Sequence, residues 1–181
     1  IRKWLAECRL TQHEDGKLSN ISPKNNNPSF FAGLLAGSVG WGDACIIVPY
    51  VLYQRYGDVR ILEENYAMMQ RWYTFLEGRA KDNPEDAAEL MKQNPYRDYT
   101  IETGVDYGEW CEPDVDSTSA MRTPQQKVAT AYFARSGQML AEIAQILGKT
   151  EDAGHYHTMA ENAGKAFRYI AVQDGRIHSD R

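Results

Sequence analysis

The sequence predicts an all-α protein made of helical hairpins, and two observations carry that prediction. The first is an apolar run at residues 44–56 that stops at Gly57-Asp58, followed at once by a stretch in which Leu62, Tyr66, Met69, Trp72 and Leu76 recur at helical spacing. The second is the return of the pattern further on. A stretch opens at Thr123-Pro124, runs through Leu147 and stops at Gly148, and a further amphipathic stretch runs from Thr150 to about residue 171. So short a joint makes its two helices antiparallel neighbours, so each pair is a hairpin.

Taken in order, Ile1, Trp4, Leu5 and Cys8 share one face of a first helix ending near Gln12, and Asp15-Gly16 turns the chain. Residues 17–40 read as loop, because Ser22-Pro23 and Asn25-Asn26-Asn27-Pro28 oppose regular structure, with one short apolar turn at 30–35. Asp43 stands where an N-cap for the helix 44–56 belongs. Pro49 must sit in an early turn of that helix or kink it, since proline donates no amide hydrogen. Gly57 ends the helix and Asp58 caps the next, which runs to about 77. Thr123-Pro124-Gln125-Gln126 is a capping box with proline at the first helical position. Glu151 and Asp152 open the returning helix, whose buried stripe is Tyr156, Met159, Ala163, Phe167 and Ile170. The link between the hairpins, residues 78–122, is far longer than helix connections usually are. Asn83-Pro84-Glu85 can start a short helix there, and residues 96–110, rich in aromatics and acids, read as an ordered functional loop.

Composition narrows the function. The chain has 181 residues, is 43% hydrophobic and carries a net charge of −5 with both signs interspersed, which places it in the soluble globular class as one domain or part of one. Scattered basic residues give no phosphate-binding face, so a nucleic-acid partner is not expected. No apolar run approaches the roughly 20 residues a membrane span needs. Three cysteines, far apart and without Cys-x-x-Cys spacing, indicate neither a disulfide framework nor a zinc site. No metal or other cofactor is called for. Ile1 falls inside an amphipathic stretch, so the chain is expected to begin mid-structure.

If repeated hairpins stack in the same sense, their first helices run parallel and their entry loops share one rim. One entry loop carries Trp41 and Asp43, within Gly40-Trp41-Gly42-Asp43-Ala44. The other carries Asp106, Tyr107, Glu109, Trp110, Glu112, Asp114 and Asp116. Indole faces and carboxylates on one rim suit a carbohydrate: the ring packs against the C–H face of a pyranose while carboxylates accept from neighbouring hydroxyls. Plainer readings stand beside this one, with Trp41 as a packing residue, Asp43 as a simple cap and Trp110 as a loop anchor. Trp4 and Trp72 read as core, and the four histidines as surface.

The segment from Leu52 to Tyr66, with Met69 and Trp72 beyond it, resembles the catalytic domain of the bacterial α-L-rhamnosidases, a glycoside hydrolase family. The likeness resumes at Tyr107-Gly108-Glu109-Trp110, at Thr123-Pro124 and at Ala129-Thr130-Ala131-Tyr132-Phe133, and covers most of residues 35–175. It implies that the chain is a fragment of an (α/α)6 toroid of six helical hairpins and that residues 78–122 form a rim loop inserted between two of them. It also implies an inverting hydrolase of terminal α-L-rhamnose, with a rhamnose-containing carbohydrate as partner.

An inverting enzyme needs two carboxyl groups about 6.5–9.5 Å apart, one as acid and one activating water. The family's acid motif, an Asp-Cys-Pro and Arg-Glu stretch leading to Gly-Trp-Thr-Gly-Asp, and its base on a later hairpin are both missing from these residues. The catalytic pair is therefore expected outside the chain. The substrate contacts expected here are Trp41, Asp43, Asp106, Glu109 and Trp110. Glu109 stands where the family's Phe-Gly-Asp-Trp has a shorter carboxylate. A different toroid glycosidase or polysaccharide lyase, or a non-catalytic helical-repeat binding module, are the other readings these residues permit. The fragment alone is expected to lack turnover and to self-associate through apolar surface that further hairpins would cover.

Overall fold

The computed structural model describes residues 1–23, 36–108 and 125–178. Its elements are α1 (Arg2–Thr11), α2 (Ala44–Tyr56), α3 (Arg60–Lys81), a short α4 (Glu89–Lys92), a 3-10 turn (Arg97–Tyr99), α5 (Gln126–Ile146) and α6 (Thr150–Ala171). A two-stranded antiparallel ribbon follows, β1 (Val172–Gln173) against β2 (Arg176–Ile177). The all-α expectation holds, with this ribbon added.

Both hairpin joints form as their residues require. Gly57 adopts φ 67°, which a side chain would resist, and its amide donates to the Tyr53 carbonyl at 2.8 Å. Asp58 is not the cap of α3 as expected: Val59 holds that position without a side-chain cap, and Asp58, one residue earlier, accepts from the Arg60 amide through Oδ1 at 3.2 Å. Pro49 lies inside α2 and is buried, leaving the Cys45 carbonyl without its usual helical donor. Gly148 takes φ 71° and stops α5. The second helix of the first hairpin runs to Lys81, four residues into the span assigned to the rim loop.

Cross-hairpin contacts fix the sense of stacking. Asp43 meets Ser136 and Tyr50 meets Glu142, so α2 and α5 run parallel. Tyr66 meets Asp152 and Gln70 meets Tyr156, so α3 and α6 do too. Helix α3 lies at the centre of the described core: Leu62, Met69, Trp72, Tyr73 and Leu76 are fully buried. The reason is that α1 and the 97–99 turn cover its far side. Tyr73 joins the hairpins, stacking on Phe133 with ring centroids 5.0 Å apart and meeting Tyr156 edge-on at 5.4 Å. Helix α2, whose charged and amide side chains are confined to Gln54 and Arg55 in its last turn, leaves Val51 and Tyr56 exposed.

Candidate functional site

The rim begins where the chain enters α2. Gly40 turns with φ 88°, the Gly42 amide donates to the Ser38 carbonyl at 3.0 Å, and the Cys45 amide donates to the Gly42 carbonyl at 3.1 Å. A Cβ on Gly42 would lie 2.2 Å from the Trp72 ring, so only glycine lets the turn close over that indole. This close-fitting turn pushes the Trp41 side chain outward, and Trp41 is 41% exposed.

Asp43 does not cap α2 with its side chain, contrary to expectation. Its backbone is already helical (φ −61°, ψ −17°), whereas a capping side chain reaches forward from an extended backbone to accept from the amides of the helix's first turn. The carboxylate turns inward instead and is fully buried. Its Oδ2 accepts from the Gly40 amide at 2.7 Å, and its Oδ1 from Trp72 Nε1 at 3.1 Å and Ser136 Oγ at 2.5 Å. Burial raises its pKa; the three donors pull it down in part, and the charge of Asp106 adds to the rise.

Asp106 is buried as well. Its Oδ1 accepts from the Val39 amide at 2.7 Å and from Arg79 Nη1 at 3.0 Å, and its Oδ2 from Arg79 Nη2 at 2.9 Å. One residue on, the Tyr107 amide donates to Ser38 Oγ at 3.1 Å, and the Tyr107 ring stacks on Trp41 with centroids 4.4 Å apart and planes at 30°. The entry loops of both hairpins therefore meet at one rim, as parallel first helices require. Tyr132, itself partly exposed, lies with its ring against Gly40.

Of the five expected contacts, the structure brings Trp41, Asp43 and Asp106 to this rim, while Glu109 and Trp110 lie outside the described residues. Only Trp41 faces solvent; both carboxylates are committed to donors within the protein. Sequence reasoning missed Tyr107 as the stacking partner, and it missed Arg79 altogether. A signal for Arg79 exists: it follows Trp72 and Leu76 at i+7 and i+3, which places a charge on a buried helical stripe. Among the described residues no group of three or more His, Cys, Asp or Glu side chains is arranged to hold a metal, and no helix is long and apolar enough to cross a membrane.

Residues 1–181 match the family described as the bacterial alpha-L-rhamnosidase 6 hairpin glycosidase domain. The chain belongs to that family. An α-L-rhamnosidase of Streptomyces avermitilis is 31% identical to this rhamnosidase-family chain over 182 residues, 99% of the chain and 15% of that protein. One from Formosa agariphila is 29% identical over 177 residues, 96% of the chain and 16% of that protein. The crystal structure of the Streptomyces avermitilis enzyme complexed with L-rhamnose superposes with a TM-score of 0.69 at 30% identity, covering 96% of this chain and 14% of that one. The six-hairpin domain of this family accounts for the two hairpins stacked in one sense, and the chain spans about a sixth of the length of these relatives.

Proposed function

We propose that this chain is a section of an inverting α-L-rhamnosidase and that its rim supplies part of the wall that holds a terminal α-L-rhamnosyl residue. The observation that carries the reading is the exposed Trp41 ring stacked on Tyr107, raised on a turn that two buried carboxylates hold rigid. Rhamnose is a 6-deoxy sugar, so its methyl group and ring C–H bonds give it an apolar face suited to an aromatic wall. A wall that is already stacked and pinned loses little freedom when the sugar arrives. Glu109 and Trp110, the next residues but one and two after Tyr107 in the sequence, complete the contacts in this reading. Asp43 and Asp106 serve by holding the two loops rather than by reaching the sugar, because every carboxylate oxygen they have already accepts from the protein. The catalytic acid and base belong to other parts of the full-length enzyme.

Kinetics of the full-length enzyme on an aryl α-L-rhamnoside test this. Trp41→Ala is expected to raise KM by about tenfold, the equivalent of roughly 1.4 kcal/mol of lost binding, with the fold intact by circular dichroism. An unchanged KM and kcat would remove Trp41 from the sugar site.

A further inference from the structure

The guanidinium of Arg79 sits beneath the rim and touches both of its loops. Nη1 donates to the Gly37 carbonyl at 3.3 Å, on the Trp41 side, and Nη2 donates to the Thr103 carbonyl, on the Tyr107 side. Both also grip the two oxygens of Asp106, which in turn holds the Val39 amide. The pair is well enclosed, with side-chain exposures of 10% and 5%. Gly104, at φ 89°, gives the guanidinium its bed, since a Cβ there would lie 2.4 Å from Nη2. Arg79 emerges from the last turn of α3, whose Trp72, Tyr73 and Leu76 are fully buried, so the clamp is anchored in the core rather than in either loop.

We propose that Arg79 is a positioning residue for sugar binding: through Asp106 and the carbonyls of Gly37 and Thr103 it fixes the register between the two loops and so sets the Trp41–Tyr107 wall. The proposal rests on the reading of Trp41 as a sugar contact. The planar fork of arginine serves four acceptors at once. A lysine ammonium, a point charge with three donors on a flexible stem, keeps the charge but not that geometry.

The test is a double-mutant cycle in the full-length enzyme, with KM and kcat for an aryl α-L-rhamnoside and the inhibition constant of free L-rhamnose as readouts. Three changes are made in the wild-type and Trp41→Ala backgrounds: Arg79→Lys, the pair Arg79→Met with Asp106→Asn, and Gly104→Ala. The paired change leaves no uncompensated buried charge and keeps a carbonyl oxygen for the Val39 amide, so it preserves folding where Arg79→Ala alone would strand Asp106. Each change is expected to weaken rhamnose inhibition and raise KM about 10-fold in the wild-type background, as misplacing a binding group by a fraction of an ångström does. In the Trp41→Ala background the same changes are expected to have little effect, because the wall they position is gone. Equal effects in both backgrounds, or full retention of affinity by Arg79→Lys, would overturn the positioning role. If Trp41→Ala itself leaves rhamnose affinity unchanged, the reading of the sugar wall fails first, and the cycle separates that failure from this one.

Discussion

Trp72 donates its indole N–H to Oδ1 of Asp43 at 3.1 Å, joining the middle of the second helix of one hairpin to the first residue before the other helix begins. Ser136, on the neighbouring hairpin, donates to the same oxygen at 2.5 Å. One buried carboxylate thus gathers three helices beneath the exposed Trp41.

Asp43→Ala leaves an amide, an indole N–H and a hydroxyl buried without an acceptor. Each such group costs about 1–3 kcal/mol, so the expected loss is about 3 kcal/mol or more. Asp43→Asn keeps an accepting oxygen and is expected to lose less. Urea midpoints of the three proteins measure the order, and equal stability of wild type and Asp43→Ala would contradict it.

Burial holds the Asp43 carboxyl above the usual carboxylate range, so the folded protein binds that proton more tightly than the unfolded chain. The stabilisation from its protonated form is fully present below the unfolded value, about 4. It is lost as pH rises through the higher folded value. The difference in unfolding free energy between wild type and Asp43→Asn is therefore expected to fall with rising pH across that window. A difference that rises with pH would mean that the three donors outweigh burial.

Gly42→Ala places a methyl group 2.2 Å from a carbon of the Trp72 ring, which the core does not let move. A loss of about 1–3 kcal/mol is expected. Gly154, exposed in the second turn of α6 with open space around it, is the control: Gly154→Ala is expected to gain about 0.5–1 kcal/mol from helix propensity. Thermal melts distinguish the two, and similar melting points for both variants would argue against the tight turn.

The chain expressed alone is expected to self-associate through α1 and α2, where Leu10, Val51 and Tyr56 stand exposed. Sedimentation checks this, and the pair Val51→Lys with Tyr56→Lys is expected to shift the population toward monomer. A wild-type chain that sediments as a monomer at high concentration would mean that this face needs no cover.

The hairpins were legible because their signals are local: Gly57 and Gly148 stop helices by backbone conformation, and the apolar spacing after each fixes the buried face. The parallel stacking and the shared rim followed from two such units in sequence. What the sequence did not disclose was the direction of the side chains. Asp43 looks like a cap in one dimension, yet its donors come from Trp72 and Ser136, 29 and 93 residues away. Arg79 was overlooked because its partners lie on two loops with no periodicity, although its place on the stripe of Trp72 and Leu76 marked it. The Asp174-Gly175 turn, left-handed at both residues, was a readable hairpin signal at the end of α6.

Whether Trp41 forms part of a sugar-binding wall is decided by a crystal structure of the full-length enzyme with bound L-rhamnose. The pyranose is expected with its methyl and C–H face in van der Waals contact with the exposed face of Trp41, and the stack on Tyr107 preserved behind it. A rhamnose bound in the active site with Trp41 and Tyr107 out of contact would contradict it.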